Sequence, residues 1–339
     1  MSSKPISTSE NFFGEHPSMV ALGRMIDKVA RSKARTILIY GETGTGKSMV
    51  ARMLHERSTR ADAPFVDINC AAIPASLLES ELFGHEKGAF TGAVGRKQGL
   101  IEAAHGGTVF LDEVRELEPV MQAKILTLLD TRRLRRVGGV QSTEVDLRFI
   151  AATNKILLGE VNSGKFREDL YYRLQVIALN IPPLRERGDD LFTLAAHFMR
   201  HYSQEYGSHI DQLSPEVREV FRRYTWPGNV RELENLIERI CLLEEGPCVE
   251  LSHLPHRILR QIELTTSQQV ASTTQVPNDL TSNPAYHYET ATRDFQRKLI
   301  IQALHRSGGQ LSQAAHALGL TRHALRHQMN KLNLTAPDL

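Results

Sequence analysis

The chain has 339 residues, of which 41% are hydrophobic and 24% are charged, and its formal net charge is +2. These values are typical of an ordinary soluble globular protein with two or three domains. No run approaches eighteen apolar residues, so no transmembrane helix is expected. The polar segment 1–10 lacks the apolar stretch of a signal peptide. The three cysteines are too scattered for a disulfide framework, and we therefore predict a cytoplasmic protein.

The first predicted element lies within Phe12–Lys33. Its apolar residues at helical spacing form one face, namely Met19, Leu22, Met25, Ile26 and Val29. The segment before Thr36 is too short for an N-terminal sensory domain, which takes on the order of 100 residues. We therefore expect a layout without such a domain.

The sequence GETGTGKS at Gly41–Ser48, here named the glycine loop, fits the pattern G-x-x-x-x-G-K-[ST]. The apolar run Thr36–Tyr40 predicts a strand before it, and apolar residues at helical spacing follow it. Strand, loop and helix N-terminus aim N–H groups at one point, which suits polyphosphate. A glycine-rich turn without a ligand is the alternative. The predicted nucleotide-binding residues of the loop are Gly41, Glu42, Thr43, Gly44, Thr45, Gly46, Lys47, which would neutralise the β- and γ-phosphates, and Ser48, which would ligate Mg²⁺.

A second strand is predicted at Phe65–Asn69 and a short helix at Pro74–Phe83. Glycines at 84, 88 and 92 then disfavour a continued helix, because each costs about 1 kcal/mol relative to alanine. We predict a mobile loop with the single aromatic residue Phe90 at its tip. Composition alone leaves open whether Phe90 is exposed or tucked into the core.

The segment 106–113, GGTVFLDE, predicts an apolar strand that ends in two carboxylates. Asp112 is suited to the Mg²⁺ shell, and Glu113 is suited to polarising the attacking water. Apolar strands that end in two acids are common, so the prediction of a hydrolysis site here depends on the complete glycine loop upstream.

Further along, a helix is predicted at Pro119–Leu129, a basic loop at Arg132–Gly139 and a strand at Leu147–Ala152. Asn154 follows that strand and could touch the γ-phosphate. Nothing selects GTP, because residue 157 is leucine where a guanine-reading Asn-Lys-x-Asp motif has aspartate. ATP is therefore the expected nucleotide.

The helix within Phe166–Leu174 carries Arg167 and Arg173, and surface arginines of this kind are usually only solvated. Helices are then predicted at Asp189–Tyr202, after the N-cap Ser214, and at Val230–Leu243. They indicate a small α-helical lid on an α/β domain that contains a parallel sheet.

The C-terminal part of the chain has a different character. Thr265–Pro284 is rich in Ser, Thr, Gln and Asn and predicts a flexible linker. Two short helices, Gln310–Leu318 and Arg322–Leu332, are predicted about Gly319 and resemble a helix-turn-helix. A basic hairpin without a nucleic-acid role is the alternative. The predicted DNA-contacting residues are Thr321, Arg322, His323, Arg326, His327 and Asn330.

These motifs resemble those of bacterial sigma-54-dependent transcriptional activators, which are enhancer-binding proteins of the AAA+ class. GETGTGKS, ELFGHEKGAFTGA, GGTVFLDE, FREDLYYRL, PPLRER and WPGNVRELEN occur in the order of that family. GAFTGA, at Gly88–Ala93 and here named the GAFTGA loop, is its most specific signature. The layout is similar to the phage-shock activator, which has no N-terminal regulatory domain. We therefore expect control by a separate regulatory protein or by the abundance of the activator itself.

The resemblance implies a role for each matching residue. Asn69 would be a switch that pairs with Glu113, and Asn154 a sensor in the central domain. Arg167 and Arg173 would be arginine fingers that reach the ATP of a neighbouring subunit. Arg231 would be the sensor arginine of the lid. The sigma-54 contact would be made by Gly88, Ala89, Phe90, Thr91, Gly92 and Ala93.

The resemblance further implies an ATP- and Mg²⁺-dependent hexameric ATPase that remodels the sigma-54 RNA polymerase closed complex into an open complex. Arg132–Gly139 would be a second pore loop, and a Fis-type C-terminal domain would bind enhancer DNA. The implied boundaries are 1–185 for the AAA+ α/β subdomain, 186–264 for the lid, 265–288 for the linker and 289–339 for the DNA-binding domain.

Three features depart from the family pattern. Ser48 stands where many relatives have glutamate, Val114 and Arg115 stand where Ile-Gly is usual, and the recognition helix is rich in histidine. A P-loop combined with a helix-turn-helix is also compatible with two other functions, a different AAA+ machine such as a replication initiator and a repressor that binds nucleotide only as a signal. The GAFTGA loop favours the activator over both.

Overall fold

The computed structural model describes residues 14–262, together with 297, 300, 301, 303, 304, 307, 310–317, 325, 326 and 329. The chain divides into two compact units, Met1–Glu263 and Leu264–Leu339. The predicted linker Thr265–Pro284 lies outside the described residues.

The first unit alternates strands and helices before a run of helices. Its helices are α1 (Pro17–Ala30), α2 (Lys47–Glu56), α3 (Ala75–Phe83), α4 (Leu100–Ala103), α5 (Pro119–Thr131), α6 (Leu157–Asn162), α7 (Glu168–Leu174), α8 (Asp190–Tyr206), α9 (Pro215–Arg223) and α10 (Asn229–Leu243). Its strands are β1 (Thr36–Tyr40), β2 (Phe65–Asn69), β3 (Gly84–His85), β4 (Lys97–Gln98), β5 (Thr108–Asp112), β6 (Arg133–Arg135), β7 (Ser142–Glu144), β8 (Arg148–Thr153), β9 (Ala178–Asn180), β10 (Gln212–Leu213) and β11 (Cys248–Val249). Short 3-10 helices lie at Val114–Glu116, Leu184–Glu186 and Leu251–His253, and residues 256–262 are helical.

A five-stranded parallel sheet in the order β2-β5-β8-β1-β9 forms the centre of this unit. The central strands β5, β8 and β1 are almost wholly buried, as expected for parallel strands covered on both faces. Because the strands are parallel, Tyr40, Asn69, Asp112 and Thr153 all lie at the carboxyl edge of the sheet. Ligands of open α/β sheets bind at this edge.

Successive residues of each strand point to opposite faces, which gives the sheet two apolar cores. In β1, for example, Ile37 and Ile39 pack with α1 and α2, whereas Leu38 packs on the opposite side. The opposite core also holds buried residues of α3, α5 and α7. The sheet therefore fixes the glycine loop and the end of β5 on a rigid support.

Helices α8, α9 and α10 have an apolar core of their own, which identifies the lid predicted from the sequence. Trp226 lies at its centre with 1% exposure, and its indole N–H donates to the carbonyl of Phe221 at 2.9 Å. Ser214 caps α9 by accepting from the N–H of Val217, and Pro215 begins the helix, as predicted.

The described residues of the second unit contain the helix α11 (Leu311–Ala317) and a small apolar cluster. That cluster includes the predicted packing residues Ala314, Ala315, Leu325 and Met329. It also includes Ile300, Ala303 and Leu304, and every one of these described residues is helical.

The structure corrects three details of the prediction. Met25, expected on the buried face of α1, is 48% exposed, because only the narrower stripe around Met19 and Ile26 meets the core. The basic segment Arg132–Gly139 is not all loop, since Arg133–Arg135 pairs with β7. Gly84 belongs to the short strand β3, which pairs with β4. Within the described residues, no helix has the length and apolar character needed to cross a membrane.

Candidate functional site

The glycine loop joins β1 to α2 with the backbone expected of a phosphate-binding loop. Gly44 and Gly46 have φ of +79° and +102°, a region that favours glycine. The side-chain hydroxyl of Thr45 donates to the carbonyl of Glu42 at 2.8 Å and braces the turn. The N-terminus of α2, which begins at Lys47, is thus directed at the space above the loop.

Lys47 lies between the glycine loop and the acidic end of β5. Its Nζ is 3.1 Å from the carbonyl oxygen of Gly41 and 3.4 Å from Oε1 of Glu113, and the side chain is 6% exposed. Glu113 has φ of +53°, a strained value for a glutamate that turns its side chain toward Lys47. The cation and the predicted water-orienting carboxylate are therefore brought together.

Asp112 adds a second carboxylate at the same place. Its Oδ1 accepts from the N–H of Glu113 at 3.0 Å, and burial raises the pKa of its carboxyl group, an effect that Lys47 opposes. Ser48 and Asp112 line the same cavity, so one hydroxyl and one carboxylate oxygen are available there. Hard oxygen donors of this type suit Mg²⁺.

A cavity of about 420 Å³ is lined by the glycine loop, the end of β5 and the lid helices α8 and α10. Gly44, Lys47 and Glu113 give it a polar wall, and the apolar side chains of Leu194 and Phe198 on α8 line it from the lid. A polar end for phosphates beside an apolar end for a planar ring is the composition that a nucleotide requires.

Residues that follow the sheet hold the glycine loop from outside the cavity. Arg185 forms a two-pronged ion pair with Glu42, at 2.7 and 2.9 Å, which lowers the pKa of that carboxyl group. Arg187 is fully buried and donates to the carbonyl of Thr45 at 3.0 Å. Asn229 at the start of α10 donates to the carbonyl of Thr43 at 3.0 Å.

None of these three side chains was predicted as a site residue from the sequence. Arg185 and Arg187 belong to PPLRER, and Asn229 belongs to WPGNVRELEN, so the motifs marked the segments without indicating their contacts. The predicted sensor Arg231 does line the cavity, and its backbone N–H donates to the carbonyl of Gly44 at 3.3 Å.

The two predicted asparagine sensors are placed differently. The backbone N–H of Asn154 donates to Oε2 of Glu113 at 3.4 Å, and its side-chain amide donates to the hydroxyl of Thr43 at 3.4 Å. Asn69 lines the cavity, but its Oδ1 accepts from the N–H of Ala71 at 2.9 Å. In this structure Glu113 is paired with Lys47 rather than with Asn69.

The two predicted fingers do not line the cavity of their own chain. Arg167 pairs with Asp169 at 2.7 Å, and Arg173 pairs with Asp130 at 3.0 Å. Both arginine side chains are 47% exposed. They are therefore surface cations held by neighbouring acids.

Arg115, the departure noted beside the carboxylates, pairs with Glu116 at 2.7 Å. Its Nε is 4.0 Å from Oε2 of Glu113. The added cation thus faces the side of Glu113 that is not in contact with Lys47.

The GAFTGA loop forms the tip of a hairpin whose base is β3 and β4. Gly88 and Gly92 have φ of +81° and +102°, and the N–H of Gly88 donates to the carbonyl of Ala93 at 2.9 Å. Phe90 is 43% exposed and meets the ring of His85 edge to face at 5.0 Å. Of the two readings of Phe90, exposure at the tip is the one observed, and Thr91 beside it is exposed as well.

The basic loop packs directly against the GAFTGA loop. The N–H of Glu86 donates to the carbonyl of Val137 at 3.0 Å, and Arg136 pairs with the carboxylate of Glu86 at 2.9 Å. A Cβ at Gly138 would lie only 2.8 Å from the Cβ of Ala89. The two loops are therefore in tight contact at their bases.

The predicted DNA-contacting residues fall mainly outside the described part of the chain. Arg326 is exposed between the buried residues Leu325 and Met329, as predicted for a surface position of the second helix. The others, Thr321, Arg322, His323, His327 and Asn330, lie outside the described residues.

Three family models match the chain in sequence. Residues 12–180 match the sigma-54 interaction domain, residues 185–271 match an AAA+ ATPase lid domain, and residues 291–332 match the Fis family of bacterial regulatory proteins. The order agrees with the fold described above, a P-loop domain, a lid and a second compact unit.

Curated proteins with the same order of segments are similar over nearly the whole chain. The nitrogen fixation protein VnfA of Azotobacter vinelandii is 44% identical over 97% of the chain, which spans 60% of VnfA. The response regulator protein PilR of Pseudomonas aeruginosa is 44% identical over 95% of the chain, which spans 69% of PilR. Among solved structures, NtrX from Brucella abortus in complex with ATP is 33% identical over 95% of this chain and 69% of its own, with a TM-score of 0.67.

Proposed function

Because the chain belongs to the sigma-54-dependent activators, we propose that it hydrolyses ATP as a ring oligomer and uses the energy to open sigma-54 RNA polymerase promoter complexes. The observation that carries this proposal is the GAFTGA loop, which exposes Phe90 and Thr91 on the same unit that holds the glycine loop, Lys47 and the carboxylates at the end of β5. A P-loop protein that used nucleotide only as a ligand signal would need no such loop.

The nucleotide site has the residues that binding and hydrolysis require. The N–H groups of the glycine loop and the Lys47 ammonium would hold the phosphates. Ser48 and Asp112 would hold Mg²⁺, which neutralises phosphate charge when it is bound. Glu113 would orient and polarise water, and Lys47, now paired with Glu113, would exchange that partner for phosphate.

Completion of the site would require a second copy of the chain. Arg167 and Arg173 are 47% exposed and do not line the cavity of their own subunit, so a neighbour's arginines would supply the missing positive charge. Asn154 and Arg231 would respond to the γ-phosphate from the sheet and from the lid. Asn69 would exchange its turn contact with Ala71 for Glu113 during the cycle. We therefore propose a ring of subunits, with the hexamer that the resemblance to the family implies.

The remaining segments would bind the partners of the protein. The GAFTGA loop would contact sigma-54, and the segment that matches the Fis family would bind enhancer DNA through Arg326 and the neighbouring predicted residues. We assign residues 1–185 and 186–264 to the ATPase subdomain and its lid, 265–288 to a linker and 289–339 to DNA binding. The protein would act in the cytoplasm, under a separate regulatory protein.

The decisive experiment separates the site from the loop. Purified protein is assayed for ATP turnover and for open-complex formation on a sigma-54 promoter, with Glu113→Gln, Thr91→Ala and Phe90→Ala as variants. Glu113→Gln should bind ATP without cleaving it, whereas Thr91→Ala should hydrolyse ATP without opening the promoter. Normal turnover by Glu113→Gln, or normal promoter opening by both Thr91→Ala and Phe90→Ala, would refute the assignment.

A further inference from the structure

Four consecutive residues of the glycine loop are each held by a group that lies after the central sheet. Arg185 pairs with the carboxylate of Glu42, and the remaining three contacts are to backbone carbonyls. Those three carbonyl contacts are Asn229 Nδ2 to Thr43, Arg231 N–H to Gly44 and Arg187 Nη2 to Thr45. The loop is therefore bound on its outer side by the segment 185–231.

Because the peptide group is planar, the contacts outside the cavity also set the direction of backbone N–H groups inside it. In a trans peptide the C=O and the following N–H point in opposite directions. When Asn229 holds the carbonyl of Thr43 outward, the N–H of Gly44 turns toward the cavity. When Arg187 holds the carbonyl of Thr45 outward, the N–H of Gly46 does the same. Gly44 and Gly46 both line that cavity.

Every hydrogen-bonding group of the Asn229 side chain takes part in this contact. Its side chain is fully buried and uses both amide hydrogens and the oxygen. Nδ2 donates to Oε2 of Glu42 at 3.1 Å as well as to Thr43, and Oδ1 accepts from the N–H of Leu184 at 2.8 Å. Its φ is +51°, which asparagine tolerates better than most residues.

Arg187 adds a second buried donor. It is fully buried and also donates through Nε to the carbonyl of Pro182 at 3.0 Å. Burial lowers the pKa of its guanidinium to about 10, so the group stays charged at neutral pH. A charged donor strengthens the bond to the Thr45 carbonyl.

From this geometry we infer that Asn229 is a positioning residue for nucleotide binding, acting with Arg187 through the backbone of the glycine loop. It sets the direction of the N–H groups that receive phosphate and ties the start of lid helix α10 to that loop. The inference rests on the proposed nucleotide site, but it requires neither hydrolysis nor sigma-54.

Two substitutions of Asn229 test the contact. Asn229→Gly tolerates a positive φ and removes the three side-chain bonds. Asn229→Asp keeps the size and the acceptor for Leu184, but it places an oxygen against Glu42 and the Thr43 carbonyl. Asn229→Asp therefore tests the contact even if Asn229→Gly destabilises the lid. ADP is the probe, because its binding requires no turnover.

The dissociation constant for ADP should rise about tenfold in Asn229→Gly and further in Asn229→Asp. In ATP hydrolysis KM should rise by a similar factor while kcat stays within about twofold, as expected for a loss of uniform binding. Tyr206→Phe is the matched lid control. It removes the hydrogen bond from Tyr206 to Glu238 on the outer face of α8 and α10 and should leave the ADP constant unchanged.

A donor–acceptor exchange makes the test specific to this contact. In the double variant Asn229→Asp with Glu42→Gln, an amide at position 42 can donate to the new carboxylate, and part of the ADP affinity should return. Wild-type ADP affinity in both single variants, with wild-type melting temperatures, would overturn the inference. No recovery in the double variant would also count against it. If Glu113→Gln still hydrolyses ATP while the Asn229 variants lose ADP affinity as expected, the proposed hydrolysis mechanism is refuted and the role of Asn229 stands.

Discussion

The glycine loop and the GAFTGA loop both contain glycines with positive φ, but the surroundings of those glycines differ. At Gly44 a Cβ would lie 2.2 Å from the carbonyl oxygen of Gly228 in the lid. At Gly88 and Gly92 a Cβ would meet nothing within 4 Å. The first glycine is required by packing as well as by backbone angle, whereas the other two are required by backbone angle alone.

This difference teaches how the fold divides rigidity between the two loops. The glycine loop is enclosed by lid contacts, so its shape is fixed before any ligand arrives. The GAFTGA loop has a fixed base and a tip with few neighbours, where the exposed ring of Phe90 contributes little to folding. An apolar side chain gains roughly 1.5–3 kcal/mol only when it is buried. Phe90 can gain that energy when a partner covers it.

The largest expected effect tests whether the enclosed site is complete within one subunit. Arg173→Ala should reduce kcat by about 10³–10⁵, the usual contribution of an arginine finger, with little change in the melting temperature, because Arg173 is exposed. Turnover of the wild type should rise more than linearly with protein concentration. A steady-state ATPase assay measures kcat and the dependence of turnover on protein concentration, and thermal denaturation measures the melting temperature.

A mixing experiment distinguishes a finger acting in the neighbouring subunit from one acting within its own. Lys47→Ala subunits, inactive alone, are mixed with Arg173→Ala subunits, so that some neighbours combine an intact loop with an intact arginine. Recovered turnover is the expected result. If no ratio restores activity although the two variants co-assemble, the role of Arg173 in the neighbour's site is wrong.

An effect of intermediate size is expected when alanine is substituted at Gly44 and, for comparison, at Gly88. Gly44→Ala should destabilise the fold by about 1–3 kcal/mol through overpacking against Gly228, with about 1–2 kcal/mol added for the left-handed backbone. ADP binding should be largely lost. Gly88→Ala should destabilise the fold only through the left-handed backbone, and it should leave ADP binding intact. Chemical denaturation and ADP titration check the pair, and equal losses in both variants would remove the distinction between the loops.

The smallest expected effect concerns the ion pair at the edge of the enclosed site. Arg185 lowers the pKa of Glu42 below its ordinary value of 4.5. A lowered folded-state pKa gives stability that is present above pH 4.5 and lost as the pH falls through the lowered value. Both side chains are 40% exposed, so solvent limits the contribution to under about 1 kcal/mol.

Denaturation of wild type and Glu42→Gln between pH 3 and pH 7 measures this contribution. The advantage of the wild type should be constant near neutrality and shrink on acidification, and 1 M salt should reduce it. Arg185→Ala should flatten the same dependence. A wild-type advantage that grows as the pH falls would contradict the assignment.

Local rules explain why much of this arrangement was predictable from sequence. The strand Thr36–Tyr40 was predicted with its observed bounds, because a buried parallel strand is a short run of β-branched and apolar residues between turn signals. The glycine pattern, Lys47 and the acidic pair after β5 are also local features. Parallel strand ends must meet at one edge, so their proximity followed from the fold class.

Contacts between distant segments could not be predicted in this way. Asn229 and Thr43 are separated by 186 positions, and Arg187 and Thr45 by 142. No periodicity links a helix start in the lid to a carbonyl in the loop. The exposure of Phe90 was undecided for a similar reason, since composition does not reveal whether a neighbouring element covers a loop tip.

Trp226 gives the molecule an internal spectroscopic reporter. It is the single tryptophan of the sequence, it is 1% exposed, and it packs edge to face with Phe221 and Tyr224 at 5.0 and 5.1 Å in the apolar core of the lid. Its emission should therefore follow the lid alone, while circular dichroism follows all helices together. A red shift that precedes the loss of ellipticity on heating would show that the lid melts before the sheet. Coincident transitions would show that the contacts of α10 with the glycine loop make the two parts unfold as one.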